Sequence, residues 1–406
     1  MWFFYVCAII PIAIGLVFWI KDKEVTWQEW LIGCGVALLT ALIFQLIASW
    51  GMTADRETWS GVITSTSHYG RWVEEYEEMH TRQVATGTDK DGHTTYRTEV
   101  YYTTEHATHH EHWTANRDFG SYQDESDVEV PVYHQIYNKF GARINETQTQ
   151  SCTHGGHYDG GDRNMYITHN NTGYVFPVTT TRSFENRIKA APTVFSFSKV
   201  PTNINVYPWP DNPDWMHSDR LLGTASVLVK PYEWDCMNTR LGPSKKVNVI
   251  MVGFGKESMD YGQYQQAKWI GGKKNDIVLC FGGGTHNKAA DWSYVFGWSE
   301  SELAKKNLQS ILLEHPINDS IIPLIEQEIS KNYVIKDWKK FDYIAIDPPT
   351  WSYWVYFIVM ILTQGGLYYA FHVNEYGKER FGYRGFKPDN DLQRMMRDWV
   401  NRIGRR

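Results

Sequence analysis

The chain has 406 residues, with 40 Lys and Arg against 46 Asp and Glu, a formal net charge of −6 and a mean hydropathy of −0.44. That acidic balance argues against nucleic-acid binding by the large polar part of the chain, which would need a basic face. The five cysteines exclude a disulfide-built scaffold: Cys7 and Cys34 sit in apolar stretches, and the three others, Cys152, Cys236 and Cys280, can form at most one bridge.

In chain order, the first two elements are apolar. Trp2 to Ile20 and Leu31 to Trp50 each hold close to the 20 uncharged, mostly apolar residues that cross a hydrocarbon core as a helix. A third such stretch, Tyr353 to Phe371, lies near the end. Trp2, Trp19, Trp27, Trp30, Trp50, Trp351, Tyr353, Trp354, Tyr368 and Tyr369 mark their ends, as aromatic belts do at headgroup depth. The start Met-Trp-Phe-Phe-Tyr has no basic region and no cleavage site follows it, so both N-terminal stretches are expected to stay as helices rather than be removed as a signal peptide. Orientation follows from Lys and Arg in the flanks. The link from Lys21 to Trp30 carries Lys21 and Lys23, and the tail after Phe371 carries nine basic residues against five acids. The expected arrangement has the N-terminus outside, the link inside, residues 51–350 outside and the tail inside. In a bacterium this places the large domain in the periplasm and the helices in the cytoplasmic membrane.

Residues 51–200 are crowded with Thr, Tyr, His and Gly and poor in Leu and Ile. Thr58 to Ser67, Thr98 to Thr108 and Val128 to Tyr137 are predicted strands, the last an edge strand because of Pro131. A β-rich region with a thin core is expected. Within it lie the residues best suited to hold a metal. His106, His109, His110 and His112 fall within seven residues, and on a regular strand His106, His110 and His112 would share one face. Cys152, His154, His157, Asp159 and Asp162 share a Gly-rich loop. Imidazole and thiolate ligate zinc, copper or nickel, and zinc is the cofactor expected of such a set. Neither grouping has a specific spacing signature, and solvent-facing histidines in a polar strand are the alternative, with a pH response as a third use.

Residues 201–350 read as α/β. Lys246 to Phe254 and Asp276 to Phe281 are predicted buried strands, and Trp292 to Trp298 a third. A helix from Met259 to Ile270 is stopped by Gly271-Gly272, and helices Ser301 to Glu314 and Ser320 to Asn332 follow. Ser299 stands three residues before Glu302, as in a capping box. Strand, helix and strand at this spacing make a βαβ unit on a mixed or parallel sheet. Phe281 to Lys288 is glycine-rich but lacks the Gly-Lys-Ser/Thr ending, so a hairpin or flexible loop is expected rather than a phosphate cradle. No Gly-x-Ser-x-Gly elbow is present.

The tail completes the chain. From Asp389, Leu392, Met395, Met396, Trp399, Val400 and Ile403 recur at helical spacing, with Arg394, Arg397, Arg402, Arg405 and Arg406 on the remaining surface. Such a basic amphipathic helix, with Trp399 at its apolar side, suits anionic lipid headgroups, and docking on a partner protein is the competing use.

Two resemblances add to this reading. Tyr264, Ala267, Trp269, Gly271-Gly272-Lys273-Lys274-Asn275-Asp276 and Ile277-Val278-Leu279 resemble the helix, tight turn and central strand of the TPM domain. Val295-Phe296-Gly297, Ser301 to Leu313 and Ile321 to Val334 are similar to its following strand and helices. Members of that family include phosphatases and assembly, repair or receptor-associated factors, so the resemblance implies a fold more than a chemistry. Its acidic site does not map residue by residue here, and Asp276 is open to two roles, an acid in a site or a turn residue. Asp55-Arg56-Glu57-Thr58-Trp59-Ser60-Gly61 and Ser183 to Pro192 look like segments of uncharacterised membrane proteins of tailed bacteriophages, although this chain has no Cys between Cys34 and Cys152.

The expected molecule is therefore an α+β membrane-anchored protein. It has an N-terminal transmembrane helical hairpin (1–50), a β-rich region (51–200), an α/β TPM-like module (201–350), a third transmembrane helix (351–371) and a basic tail (372–406). Its expected partners are the lipid bilayer and an envelope or phage protein, with no nucleic acid. The expected function is a phage-encoded interaction domain acting on the host envelope, and the alternative is an exported metal-dependent hydrolase. The sequons at Asn145, Asn170 and Asn318 would matter only in a eukaryotic secretory compartment.

Overall fold

Two units divide the chain in this computed structural model, Met1–Thr53 with Ile344–Arg406, and Ala54–Tyr343. The structure describes residues 4–6, 8–9, 12–13, 15–16, 27–140, 144–149, 158–161, 164–191, 194–195, 197–210, 219–346 and 348–380, with 144–149, 158–161, 164–165 and 372–380 as backbone only.

The first unit is helical. Trp27–Thr53 is a 27-residue helix and Thr350–Arg380 a 31-residue helix, and each holds a strongly apolar 18-residue window, in the second case within Thr350–Phe371. Both are long and apolar enough to cross a membrane. Only 17% of each apolar window is buried, so most of the Leu, Ile and Trp side chains face outward, as they would toward lipid. Helix contact runs through small residues: Gly33, Ala37 and Ala41, four apart, are buried on one side of Trp27–Thr53. Ala37 and Ala41 pack with Phe4, Ala8, Tyr356 and Met360. Polar side chains reinforce it, with Tyr356 Oη donating to Phe4 O at 2.7 Å and Gln364 Nε2 to Gly33 O at 3.2 Å. The described part of the first expected span is helical, and the rest of Trp2–Ile20 and the tail from 381 lie outside the described residues.

In the second unit a 16-residue strand, β1 (Ala54–Tyr69), organises the β-rich half. Its first part pairs with β9 (Pro177–Glu185), and its second with β4 (His112–Asp118) and β8 (Asn164–Asn170). β5 (Gln123–Asp127) and β6 (Ile144–Thr149) complete a six-stranded sheet. The core is thin, as expected, and half of it is aromatic: Trp59, Ile63, Ala115, Phe119, Ile136, Phe140, Phe176 and Val178. One expected strand is a helix instead. Val128, Val130 and Val132 alternate like a strand, but α1 (Val130–Phe140) buries Tyr133, Ile136 and Phe140, spaced for one helical face. Pro131 sits in its first turn, where a missing N–H costs nothing.

A second sheet extends from this half. β2 (Trp72–Thr88) and β3 (Thr94–His109) form a long antiparallel hairpin, and β7 (Tyr158–Gly161) joins only at Glu74–Tyr76. From Glu77 to Thr104 the hairpin is a two-stranded arm among the described residues.

The other half is a four-stranded sheet in the order β10 (Leu221–Gly223), β11 (Asn248–Gly253), β12 (Asp276–Gly282) and β13 (Trp292–Gly297). The first three are parallel and the last antiparallel. Val249, Met251, Ile277, Leu279 and Phe281 face helices α2 (Pro231–Lys245), α4 (Glu302–Glu314) and α5 (Ile322–Asn332). Ile250, Val252, Val278 and Cys280 face α3 (Asp260–Lys268) and the segment Ile204–Trp209. Both strand faces are covered, which explains why these strands read as unbroken apolar runs. The cap of α4 is Ser301, whose Oγ accepts from Ala304 N at 3.2 Å. Ser299 instead donates to Val334 O and accepts from Ser301 N, so it anchors the approach to the helix rather than capping it.

The two halves interlock. Gly242 of α2 lies against the backbone of Ser60 so closely that a Cβ would collide with it. Asn275 Nδ2 donates to Thr58 O at 2.7 Å and to Lys246 O at 2.8 Å, joining β1 to the end of α2. Lys273 pairs with the buried Asp55, and Lys274 with Glu57 at 3.4 Å.

Candidate functional site

The histidine run does not form one ligand face. β3 ends at His109 and β4 begins at His112, and the two strands belong to different sheets. His106 lies 3.4 Å from Glu75 on the arm, whereas His112 stacks on Tyr69 with ring centroids 4.6 Å apart and its Nδ1 lies 3.0 Å from His110 O. His110 and Glu111 belong to neither strand, so the regular strand that would have aligned His106, His110 and His112 is interrupted there. Cys152, His154 and His157 lie outside the described residues, as do Arg394, Arg397, Trp399, Arg402, Arg405 and Arg406.

What the fold assembles is a different group, Glu78, His80 and Glu105, whose ligand atoms all lie within 4.8 Å of one another. Cross-strand register builds it. Tyr76 pairs with Glu105, Glu78 with Thr103 and His80 with Tyr101, and residues paired or two apart share one face of a hairpin. Thr103 sits at the centre: its Oγ1 lies 2.8 Å from His80 Nε2 and donates to Glu105 Oε1 at 3.2 Å. Glu78 Oε2 is 3.8 Å from His80 Nε2, and the imidazole stacks on Tyr101. One imidazole and two carboxylates suit zinc or manganese. Ligand atoms around a zinc ion with bonds of about 2.0–2.2 Å lie roughly 3.5 Å apart, so the three side chains would have to draw closer to share one ion. The residues fit a divalent ion, with water completing the shell at this solvent-facing position.

Sequence spacing hides this group, because its members come from two strands. The turn Asp89-Lys90-Asp91-Gly92, with Gly92 at φ 86°, is a legible hairpin signal. Counting outward from it still misleads: the register shifts by one between Ala85 and Gly87, and without that bulge His80 would face Tyr102.

At the base of the arm, His109 Nε2 lies 2.8 Å from Oε2 of the fully buried Glu74 and stacks on Trp72. His68 pairs with Glu111 at 2.7 Å and stacks on Trp113. His169 is buried beside Tyr137, and burial, with His68 nearby, holds its pKa below the usual imidazole value. These contacts are cross-strand packing in a sheet poor in aliphatics.

Asp276 takes the turn role. Its Oδ2 accepts from Lys273 N at 2.8 Å, closing the turn that follows Gly271-Gly272, and from Trp209 Nε1 at 2.9 Å. Its Oδ1 accepts from Asn248 Nδ2 at 2.7 Å. Burial pushes this carboxyl above the usual range, against the pull of those donors. The fully buried Arg220 donates to Asn248 Oδ1 at 2.6 Å and to Asp235 Oδ1 at 3.4 Å, so the network links buried polar groups inside the fold. The glycine-rich stretch is the β12–β13 hairpin connection, closed by a Thr285–Lys288 bridge with Gly283 at φ 77°, and no helix begins at its end. Cys236 and Cys280 are buried free thiols.

No family model matches the chain, and neither a curated protein nor a solved structure matches it.

Proposed function

We propose that the chain is an integral membrane protein, phage-encoded, whose Ala54–Tyr343 unit lies outside the cytoplasm and acts by contact with the host envelope. The observation that carries this is sequence placement: the helices Trp27–Thr53 and Thr350–Phe371, both long and apolar enough to span a bilayer, bracket that unit. Two spans on either side of a polar segment leave it on one face of the membrane, and the excess of Lys and Arg after Phe371 favours a cytoplasmic tail. The likeness of residues 264–334 to the TPM domain and of Asp55–Gly61 to phage membrane proteins supports an exported interaction module. Protease treatment of intact spheroplasts, with epitope tags in the large unit and on the tail, tests the reading. Digestion of the unit with a protected tail is the expected result, and a protected unit overturns it.

A second reading, an anchored metal-dependent hydrolase of the phosphatase kind, is favoured by the Glu78, His80 and Glu105 group. It requires one zinc per chain in calorimetric titration, loss of that zinc in His80→Ala, and phosphomonoester hydrolysis that a chelator abolishes. Zinc binding without hydrolysis would leave the metal as a feature of the interaction module.

A further inference from the structure

The arm β2–β3 leaves two kinds of surface open. Its β3 edge has no strand beside it among the described residues, since the sheet order is β3-β2-β7. One face of it exposes Met79, Tyr96, Val100 and Tyr102, each more than half exposed. Protected edges carry Lys, Pro or a bulge. β3 has no Pro, its register with β2 runs unbroken from Tyr96 to His109, and Val100-Tyr101-Tyr102-Thr103-Thr104 is uncharged. A two-stranded ribbon standing alone is also marginal in water.

We propose that β3 pairs antiparallel with β3 of a second copy of this chain about a two-fold axis at Tyr101, joining two arms into a four-stranded sheet. The sequence of the edge is self-complementary in that register. Arg97 falls opposite Glu105 of the second copy, twice by symmetry, and Glu99 falls opposite Thr103, so no like charges face each other. On the other face Val100 falls opposite Tyr102, extending the Tyr102–Met79 cross-strand pair into one apolar stripe that runs across both copies. Registers displaced by one residue lose the match: with the axis between Tyr101 and Tyr102, Arg97 meets His106 and Glu105 meets Thr98. The assembly needs neither a particular side of the membrane nor a metal, so it goes beyond the functional reading above.

Disulfide trapping of the full chain in detergent micelles, with a chelator present, tests this. Residues on the axis face their own copies at a distance a disulfide spans. Tyr101→Cys should therefore give a covalent dimer on mild oxidation, in excess of the parent chain, while Val100→Cys should not. Arg97→Glu should weaken dimerisation about tenfold, and Arg97→Glu with Glu105→Arg should restore it. Three outcomes overturn the proposal: no excess dimer from Tyr101→Cys, equal trapping at positions 100 and 101, or a dimer that forms only with added zinc.

Discussion

The two halves of the Ala54–Tyr343 unit solve burial in opposite ways. The α/β half encloses a core of Val, Leu, Ile and Met between helices on one side and α3 with Ile204–Trp209 on the other. The β-rich half has a few aromatic residues for a core, and its strands are held by Thr and Ser hydroxyls, His–carboxylate pairs and stacked rings. Apolar burial gives roughly 25 cal/mol per Å² whatever the partner, whereas each exposed polar pair contributes a fraction of a kcal/mol and depends on register. The first half is therefore expected to carry most of the stability, and the second to offer surface.

Three substitutions test this division of labour. Trp234 is fully buried in the α/β core, with Nε1 donating to Val249 O at 3.0 Å. Trp234→Ala should lower the unfolding free energy by about 3–5 kcal/mol in denaturant titration, and a loss below 1 kcal/mol would place the stabilising core elsewhere. Asn275→Ala removes the donor shared by Thr58 O and Lys246 O, and should cost about 1–3 kcal/mol while separating the melting of the halves. A single cooperative transition in that variant would show that Gly242 and the Lys273–Asp55 pair suffice to couple them.

The smallest effect concerns pH. Burial, with His68 nearby, lowers the pKa of His169 in the folded chain, so as pH falls below the ordinary imidazole value of 6.5 the unfolded chain takes up a proton more readily than the folded one. Stability contributed at higher pH is then lost as pH falls through 6.5, and His169→Gln should flatten that part of the stability profile. An unchanged slope would assign the acid response to other groups.

The α/β half was legible because its signals are local. Val247, Val249, Ile250 and Val252 announce β11, Gly271-Gly272 end α3 at φ 82° and 91°, and Ile277-Val278-Leu279 announce β12. Even there, α2 gave no periodic signal, because Gly242-Pro243 near its end reads as a helix breaker. The structure keeps both residues in the last turn: Gly242 permits close approach to Ser60, and Lys246 ends the helix at φ 50°. Capping by Ser301 rather than Ser299 is a two-residue matter that only the backbone path decides. In the β-rich half, three alternating valines give the start of α1 the pattern of a strand, although its buried stripe is helical.

Local sequence already specifies the apolar helices, the order of the α/β elements and the thinness of the β-rich core. Each depends on residues within a few positions of one another, where propensity and period act directly. Tertiary structure alone decided which side chains meet: Glu78 and His80 with Glu105, Asn275 with Thr58, Asp276 with Trp209. These meetings depend on strand register and on long-range closure. A single bulge at residue 86, invisible in composition, moves every cross-strand partner beyond it by one and turns each to the other face.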